Sequence, residues 1–411
     1  MQDEGSPLAN LRRLFQGVLK LPKGNEGLFD YLFCIAVGGA YPRGVEPNWG
    51  ALIADSGSGK SLVTLMLNGL AEYIYEGDDV TDRALVSCKP DEATGKAPSM
   101  LERLNGKTYL VDDFSVIASA RDDEAARIAS QFRTVYKGRY SKDSGMGDGR
   151  RQAVGRFNIL MAAVQEMDDW ILKHGQLGQR FIIYRMHIPR PVRDAYSDHV
   201  IRMQPTEHIW KAQLEAALAD QLLPIIRALP KDPEKITPPL PDKYRHAMIR
   251  LTGTVVDLRT FPKGLTQSTG KISYPLLQRA AQEVATRLPR QFIVLGWTRA
   301  RVDAREAWND SDLRFIKRIA WDTIPYLGQC LVRILHDKPE GLTLLEMKDR
   351  LYLPLSAITS IAYCWGSIGI MQRPSAGGKW AFEETFRHRI NEVWESEREW
   401  WPHFPSHKKG K

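Results

Sequence analysis

The octet Ala54-Asp-Ser-Gly-Ser-Gly-Lys-Ser61 brings together residue types that bind phosphate. Without Cβ atoms, Gly57 and Gly59 let the backbone curl until several N–H groups point into one concavity, an anion-binding arrangement. Lys60 is long enough to reach the β- and γ-phosphates of a nucleotide, and the Ser61 hydroxyl can ligate Mg²⁺. The apolar run Trp49–Ile53 precedes the octet and a helix-like stretch, Leu62–Tyr75, follows it. That strand–loop–helix setting is what a phosphate-binding loop requires, with Ala54 standing where a first glycine is usual. Asp55, Ser56, Gly57, Ser58, Gly59, Lys60 and Ser61 are therefore the expected nucleotide contacts, against the plainer reading of a chance Gly/Ser turn.

Lys107-Thr-Tyr-Leu-Val-Asp-Asp-Phe-Ser115 is an apolar strand ending in two adjacent carboxylates. Nucleotide hydrolysis uses one acid to hold Mg²⁺ and often a second to orient or deprotonate the attacking water. By position Asp112 is the magnesium acid and Asp113 the water-activating one; the bland alternative is an N-capping Asp. Phe157–Ala163 reads as a buried strand, and Gln165 just beyond it could sense the γ-phosphate or position the water. In Leu177-Gly-Gln-Arg-Phe-Ile-Ile-Tyr-Arg185, Arg180 immediately precedes another apolar strand. An arginine there suits insertion into a neighbouring subunit's nucleotide site, where it would stabilise transition-state charge. Arg185 is the runner-up, and an ordinary salt bridge is the alternative for both. The combination implies an ATP hydrolase that uses Mg²⁺.

Between the acidic motif and the Gln165 strand, residues 133–156 hold seven basic side chains against two acidic ones, a net +5. Ser144-Gly-Met-Gly-Asp-Gly149, at the centre, reads as a hairpin tip. A basic hairpin near an ATPase site is a natural arm for gripping a phosphate backbone, with Arg139, Lys142, Arg150 and Arg151 as the expected DNA contacts. A solvated surface loop is the alternative.

The elements that must position these residues follow from the apolar spacing. Strands are expected at Trp49–Ile53, Arg83–Val86, Thr108–Val111, Phe157–Ala163 and Arg180–Met186, with helices at Leu62–Tyr75, Pro98–Leu104 and Asp123–Tyr136 between them. Strands alternating with helices after a phosphate loop imply a parallel sheet covered on both faces, an α/β fold. The spacing divides the chain into a helical lead-in (1–47), the ATPase core (48–190), a helical segment (191–325), a module of three helices and a hairpin (326–385) and a Trp-rich basic tail (386–411). The 326–385 pattern is that of a winged helix. Its would-be recognition helix, from Leu355, has no Lys or Arg, so Arg373 and Lys379 on the wing are the module's expected phosphate contacts.

The chain has 411 residues, 43% hydrophobic and 26% charged, in the ordinary range for a globular protein of two or three domains. No apolar run reaches membrane-span length and the N-terminus lacks a signal-peptide pattern. Four scattered cysteines suit a reducing compartment, so a cytoplasmic protein is expected. A net charge of +8 is compatible with an acidic partner such as nucleic acid.

With these motifs in place, the chain resembles the AAA+ ATPases, and among them the minichromosome-maintenance-type helicases and their small relatives in phages and mobile elements. The resemblance covers about residues 48–190. Val-Asp-Asp-Phe at 111–114 is similar to that family's Ile-Asp-Glu-Phe, and Gln-Arg-Phe at 179–181 to its Ser-Arg-Phe arginine-finger motif. The basic hairpin precedes the Gln165 strand as the family's DNA-gripping hairpin precedes its sensor strand. Asp113 stands in place of the family's glutamate, and Gln165 in place of its asparagine or threonine. The resemblance implies a helical lid, a terminal winged helix, a hexameric ring and a lid arginine near the nucleotide, for which Arg279 is the best match. It thus implies a DNA helicase or remodelling motor. A nucleotide-controlled DNA-binding switch without unwinding, such as an origin or transposition regulator, is the alternative.

Overall fold

The computed structural model describes residues 5–77, 99–118, 122–143, 150–173, 180–261, 286–372 and 378–401. These residues fall into two units, one comprising 1–241 with 287–316 and the other 242–286 with 317–411, so the units interleave along the chain.

The first unit is built on a five-stranded sheet. Its strands are β1 (Trp49–Ile53), β2 (Ile74–Glu76) and β3 (Thr108–Val111), followed, after the separate pair β4 (Arg139–Asp143) and β5 (Arg150–Val154), by β6 (Asn158–Ala163) and β7 (Phe181–Arg185). The order is β2-β3-β6-β1-β7 and every neighbouring pair is parallel. Parallel sheets are buried on both faces, which explains why β1, β3, β6 and β7 are buried along their length and mainly apolar.

Alternation along the strands assigns a cover to each face. Trp49, Ala51 and Ile53 of β1 join a cluster with Ile128 and Phe132 of the helix Asp122–Val135 and Met167 and Trp170 of the helix Glu166–Lys173. The other face takes the helix Leu28–Gly39, every residue of which is buried. Its Tyr31 hydroxyl donates to the carbonyls of Ala51 and Ile182. A Cβ at Gly50 would lie 2.5 Å from that hydroxyl, so glycine is what lets the helix approach β1. Arg156, counted above among the hairpin's basic residues, is instead buried beneath this helix and donates to the carbonyls of Gly38, Gly39, Val45 and Glu46. Burial pushes its pKa down to about 10. It adds donors to the carbonyls at this helix's C-terminal end, where intrahelical N–H groups run out. The expected lead-in is therefore part of the sheet's own packing.

The helix expected over Leu62–Tyr75 is shorter. An α-helical stretch, Lys60–Leu65, passes into a 3₁₀ segment, Met66–Leu70, and Ile74–Glu76 then forms β2. The helix Glu207–Arg227 crosses at Gly69, where a Cβ would collide with the Glu215 backbone. The strand expected at Arg83–Val86 lies outside the described residues.

The second unit contains the helices Asp242–Leu258, Tyr326–His336, Leu344–Leu351, Leu355–Ser367 and Glu384–Trp394. A short antiparallel pair, β8 (Met371–Gln372) with β9 (Ala381–Phe382), and a bridge between Leu342 and Trp380 complete its 342–382 portion. Of the residues expected as a tail (386–411), those from 402 lie outside the described residues, while Trp394 and Trp401 pack inward on Trp321, the latter pair stacked at 5.3 Å. No helix among the described residues is long and apolar enough to cross a membrane.

Candidate phosphate-binding site

Because the sheet strands are parallel, their C-terminal ends share one edge, and in open α/β sheets ligands bind at that edge. Three adjacent strands, β3, β6 and β1, lead there into the three motifs. Backbone hydrogen bonds fix their exits: Ala54 N–H donates to Ala163 O at 3.1 Å, Phe114 N–H to Ala162 O at 2.9 Å, and Met186 N–H to Ile53 O at 2.9 Å. Gly57 (φ +72°) and Gly59 (φ +85°) occupy the left-handed region, so the loop needs glycine at both positions.

Lys60 folds back on its own loop, with Nζ donating to the carbonyls of Ala54 and Asp55, each at 2.9 Å. Burial lowers its pKa, opposed by the carboxylates of Asp55, Asp113, Asp112 and Glu166. The three motifs thus converge electrostatically on this ammonium. Thr64 Oγ1 lies 3.5 Å from Asp112 Oδ1, tying the loop's helix to the acidic motif. Ser61 and Ser56 are exposed. Asp113 is exposed, and its Oδ1 accepts from Ser115 N–H at 2.8 Å, so it does cap the short helix Ser115–Ala118. Capping engages one of its two oxygens. Ser58 is 5% exposed and its Oγ has no hydrogen-bond partner among the described residues. A buried hydroxyl without a partner is costly, and an anion in the loop would relieve that cost. The donors present therefore fit a nucleotide phosphate, and Ser61 with Asp112 supplies the oxygen ligands that Mg²⁺ prefers.

Gln165 is exposed beyond β6, and its Nε2 donates to the buried carboxylate of Asp168. The other oxygen of Asp168 accepts from Arg185 Nη2 at 2.7 Å. Arg185, the runner-up arginine, is thus engaged in an intramolecular salt bridge. Arg180 lies at the opposite, N-terminal end of β7, far along the sheet from its own phosphate loop. It is 7% exposed, and its guanidinium lies over the Tyr136 ring at 5.3 Å from the centroid, with Arg287 also over that ring.

Sequence reasoning missed four residues at this edge. Glu166 acts on Lys60, and Asp168 anchors Gln165. Arg193 pairs with Asp55 at 2.5 Å, and the Tyr196 hydroxyl lies 3.4 Å from where a Cβ on Gly59 would stand. Both belong to the helix Arg193–Met203, which has no buried residue and hence no apolar period to betray it.

The basic segment does form an antiparallel pair, with Arg139 opposite Val154, Lys142 opposite Arg151 and Asp143 opposite Arg150. Arg139 is exposed at its base. The tip, residues 144–149, lies outside the described residues, as do Arg279 and Arg373. Lys379 is exposed in the second unit, within electrostatic range of Glu340 and Glu346.

No protein-family model and no curated protein matches this chain.

Proposed function

We propose that the chain is an ATP-hydrolysing AAA+ motor acting on DNA, a ring-forming helicase or DNA-remodelling ATPase of the type carried by phages and mobile elements. The observation that carries this reading is the convergence of Lys60, Asp112, Asp113 and Gln165 at one edge of a parallel sheet. Nucleotide phosphates compete for the Lys60 ammonium against two loop carbonyls, and the loop N–H groups with Ser58 Oγ take the remaining phosphate oxygens. Mg²⁺, held by Ser61 and Asp112, supplies charge neutralisation across the phosphates when bound. The uncapped oxygen of Asp113 accepts the proton of the attacking water, and Gln165 orients that water.

Arg180 fits the ring. At the far end of β7 it cannot reach its own phosphate loop, so any nucleotide it serves belongs to another copy, and serving it requires the guanidinium to leave Tyr136. The β4–β5 pair fits DNA. Its register pairs the positions of Lys142 and Arg151, and basic residues brought to one rung of a ladder suit a phosphate backbone. In the 342–382 portion, read as a winged helix, Leu355 and Tyr363 are exposed on a helix without basic residues, which favours a protein-contact role there over base reading. Arg279 remains the proposed lid arginine, and Arg373 and Lys379 the proposed wing contacts.

The test is ATP hydrolysis by the purified chain with and without DNA, together with strand displacement on a forked duplex and electron microscopy with a slowly hydrolysed analogue. DNA-stimulated hydrolysis with displacement is expected. ATP-dependent DNA binding without displacement would favour the switch instead. Mixing Arg180→Ala with Lys60→Ala protein should restore part of the hydrolysis each lacks. Full activity in a monomeric sample, with no such rescue, would remove the ring.

A further inference from the structure

We infer that Asp168 is a positioning residue that orients the Gln165 carboxamide so that its oxygen, not its nitrogen, meets the reacting water; the inference rests on the hydrolysis proposed above. Asp168 sits on the helix Glu166–Lys173 with 1% of its surface exposed. One carboxylate oxygen accepts from Gln165 Nε2 and the other from Arg185 Nη2 at 2.7 Å. The backbone N–H of Asp168 also donates to Gln165 O at 3.0 Å, closing a tight turn that holds the two residues together.

A carboxylate can only accept, so the edge of the Gln165 amide facing Asp168 must be the NH₂ edge. With Nε2 held by the buried acid, Oε1 is left on the other edge of an exposed side chain, at the sheet edge that carries the phosphate loop and the acidic motif. An acceptor there suits a water O–H and is repelled by a phosphate oxygen. The two roles open to Gln165, sensing the γ-phosphate and positioning the water, are thereby separated in favour of the second. Arg185 supplies the paired charge that a buried carboxylate needs. It ends β7, in register with Ile53 at the end of β1, while its partner follows β6 on the other side of β1. The ion pair therefore crosses the end of the strand from which the phosphate loop emerges, and ties Gln165 to that loop's foundation.

The test uses the full chain and MgATP. Asp168→Ala should lower kcat roughly 10²-fold, the scale of misplacing a reacting group, with KM for ATP nearly unchanged. Gln165→Ala should do the same, and the double variant should be no slower than either single one. Since removing one partner of a buried pair can unfold the protein, two paired variants carry the decision. Asp168→Leu with Arg185→Met removes both charges and the acceptor; it should fold, bind a fluorescent ATP analogue normally and remain slow. Asp168→Asn with Arg185→Met keeps an amide oxygen for Gln165 and should recover most of kcat. Equal activity in the two paired variants, or additive losses with Gln165→Ala, would overturn the inference while leaving the ATPase reading in place. A wild-type chain that hydrolyses no ATP, with or without DNA, would overturn both.

Discussion

At the scale of single residues, Lys60 and Asp113 show how one side chain can carry two duties. The Lys60 ammonium is held by two carbonyls of its own loop, and burial lowers its pKa against the pull of four carboxylates. It is therefore a donor already partly desolvated and bonded to its own loop. Asp113 caps a four-residue helix through one oxygen and leaves the other for solvent. Lys60→Ala should weaken binding of an ATP analogue severalfold or more, measured by fluorescence titration. Asp113→Asn should bind normally, because the amide oxygen can still cap Ser115, yet turn over about 10²-fold more slowly. Turnover near wild type in Asp113→Asn would confine that residue to capping.

At the scale of elements, the β4–β5 pair is the part whose register matters most. A slip of one residue would move every side chain to the other face, yet the ladder places Lys142 opposite Arg151 and Asp143 opposite Arg150. The base of the pair is fixed by Ala153, buried in the sheet's core cluster, and by Tyr140 packed against that cluster. Replacing Lys142, Arg150 and Arg151 with Ala should weaken DNA binding alike for all sequences, because phosphate contacts carry no base information. The salt dependence should become shallower by roughly 0.7–0.9 per lost contact. Basal ATP hydrolysis should survive. Unchanged affinity and salt slope in this variant, with loss of binding on Arg373→Ala and Lys379→Ala, would move the DNA site to the second unit.

At the scale of the whole molecule, the first unit is held together by charges as well as by its core. Asp30 pairs with Arg12 and Arg299, and Asp312 with Arg299 and Arg305, joining N-terminal helices to residues almost three hundred positions later. Burial alone would lower the Arg299 pKa, but Asp30 and Asp312 outweigh it and keep the guanidinium charged. Asp312→Ala removes a fully buried carboxylate shared by two arginines, leaving Arg299 with Asp30 and Arg305 with Asp303. It should cost about 3–5 kcal/mol, read as an earlier urea midpoint, whereas removing an exposed pair such as Arg202–Asp198 should cost under about 1 kcal/mol. Equal midpoints for the two variants would show that the network contributes nothing special.

The sequence by itself determined the strands around the site. β1 and β3 span the residues that their apolar runs predict, β6 is one residue shorter at its start and β7 one residue shorter at each end, because strands buried on both faces are mainly apolar. It also determined that a Gly-Ser-Gly-Lys-Ser loop, two carboxylates and Gln165 each follow a strand. Only the tertiary structure decided that those three strands are neighbours, since strand order depends on crossovers that local periodicity does not encode. It likewise decided that Arg156 is a buried helix cap rather than part of a basic surface, and that Trp394 and Trp401 belong to a core rather than a tail. The helix Arg287–Val302, unannounced by its pattern, carries Gln291, Thr298 and Arg299 at buried positions. Their partners lie far away in the chain, at Arg180, Tyr41 and Asp30. A polar residue at a core position looks like surface until its distant partner is known, and that partner is something only the folded chain supplies.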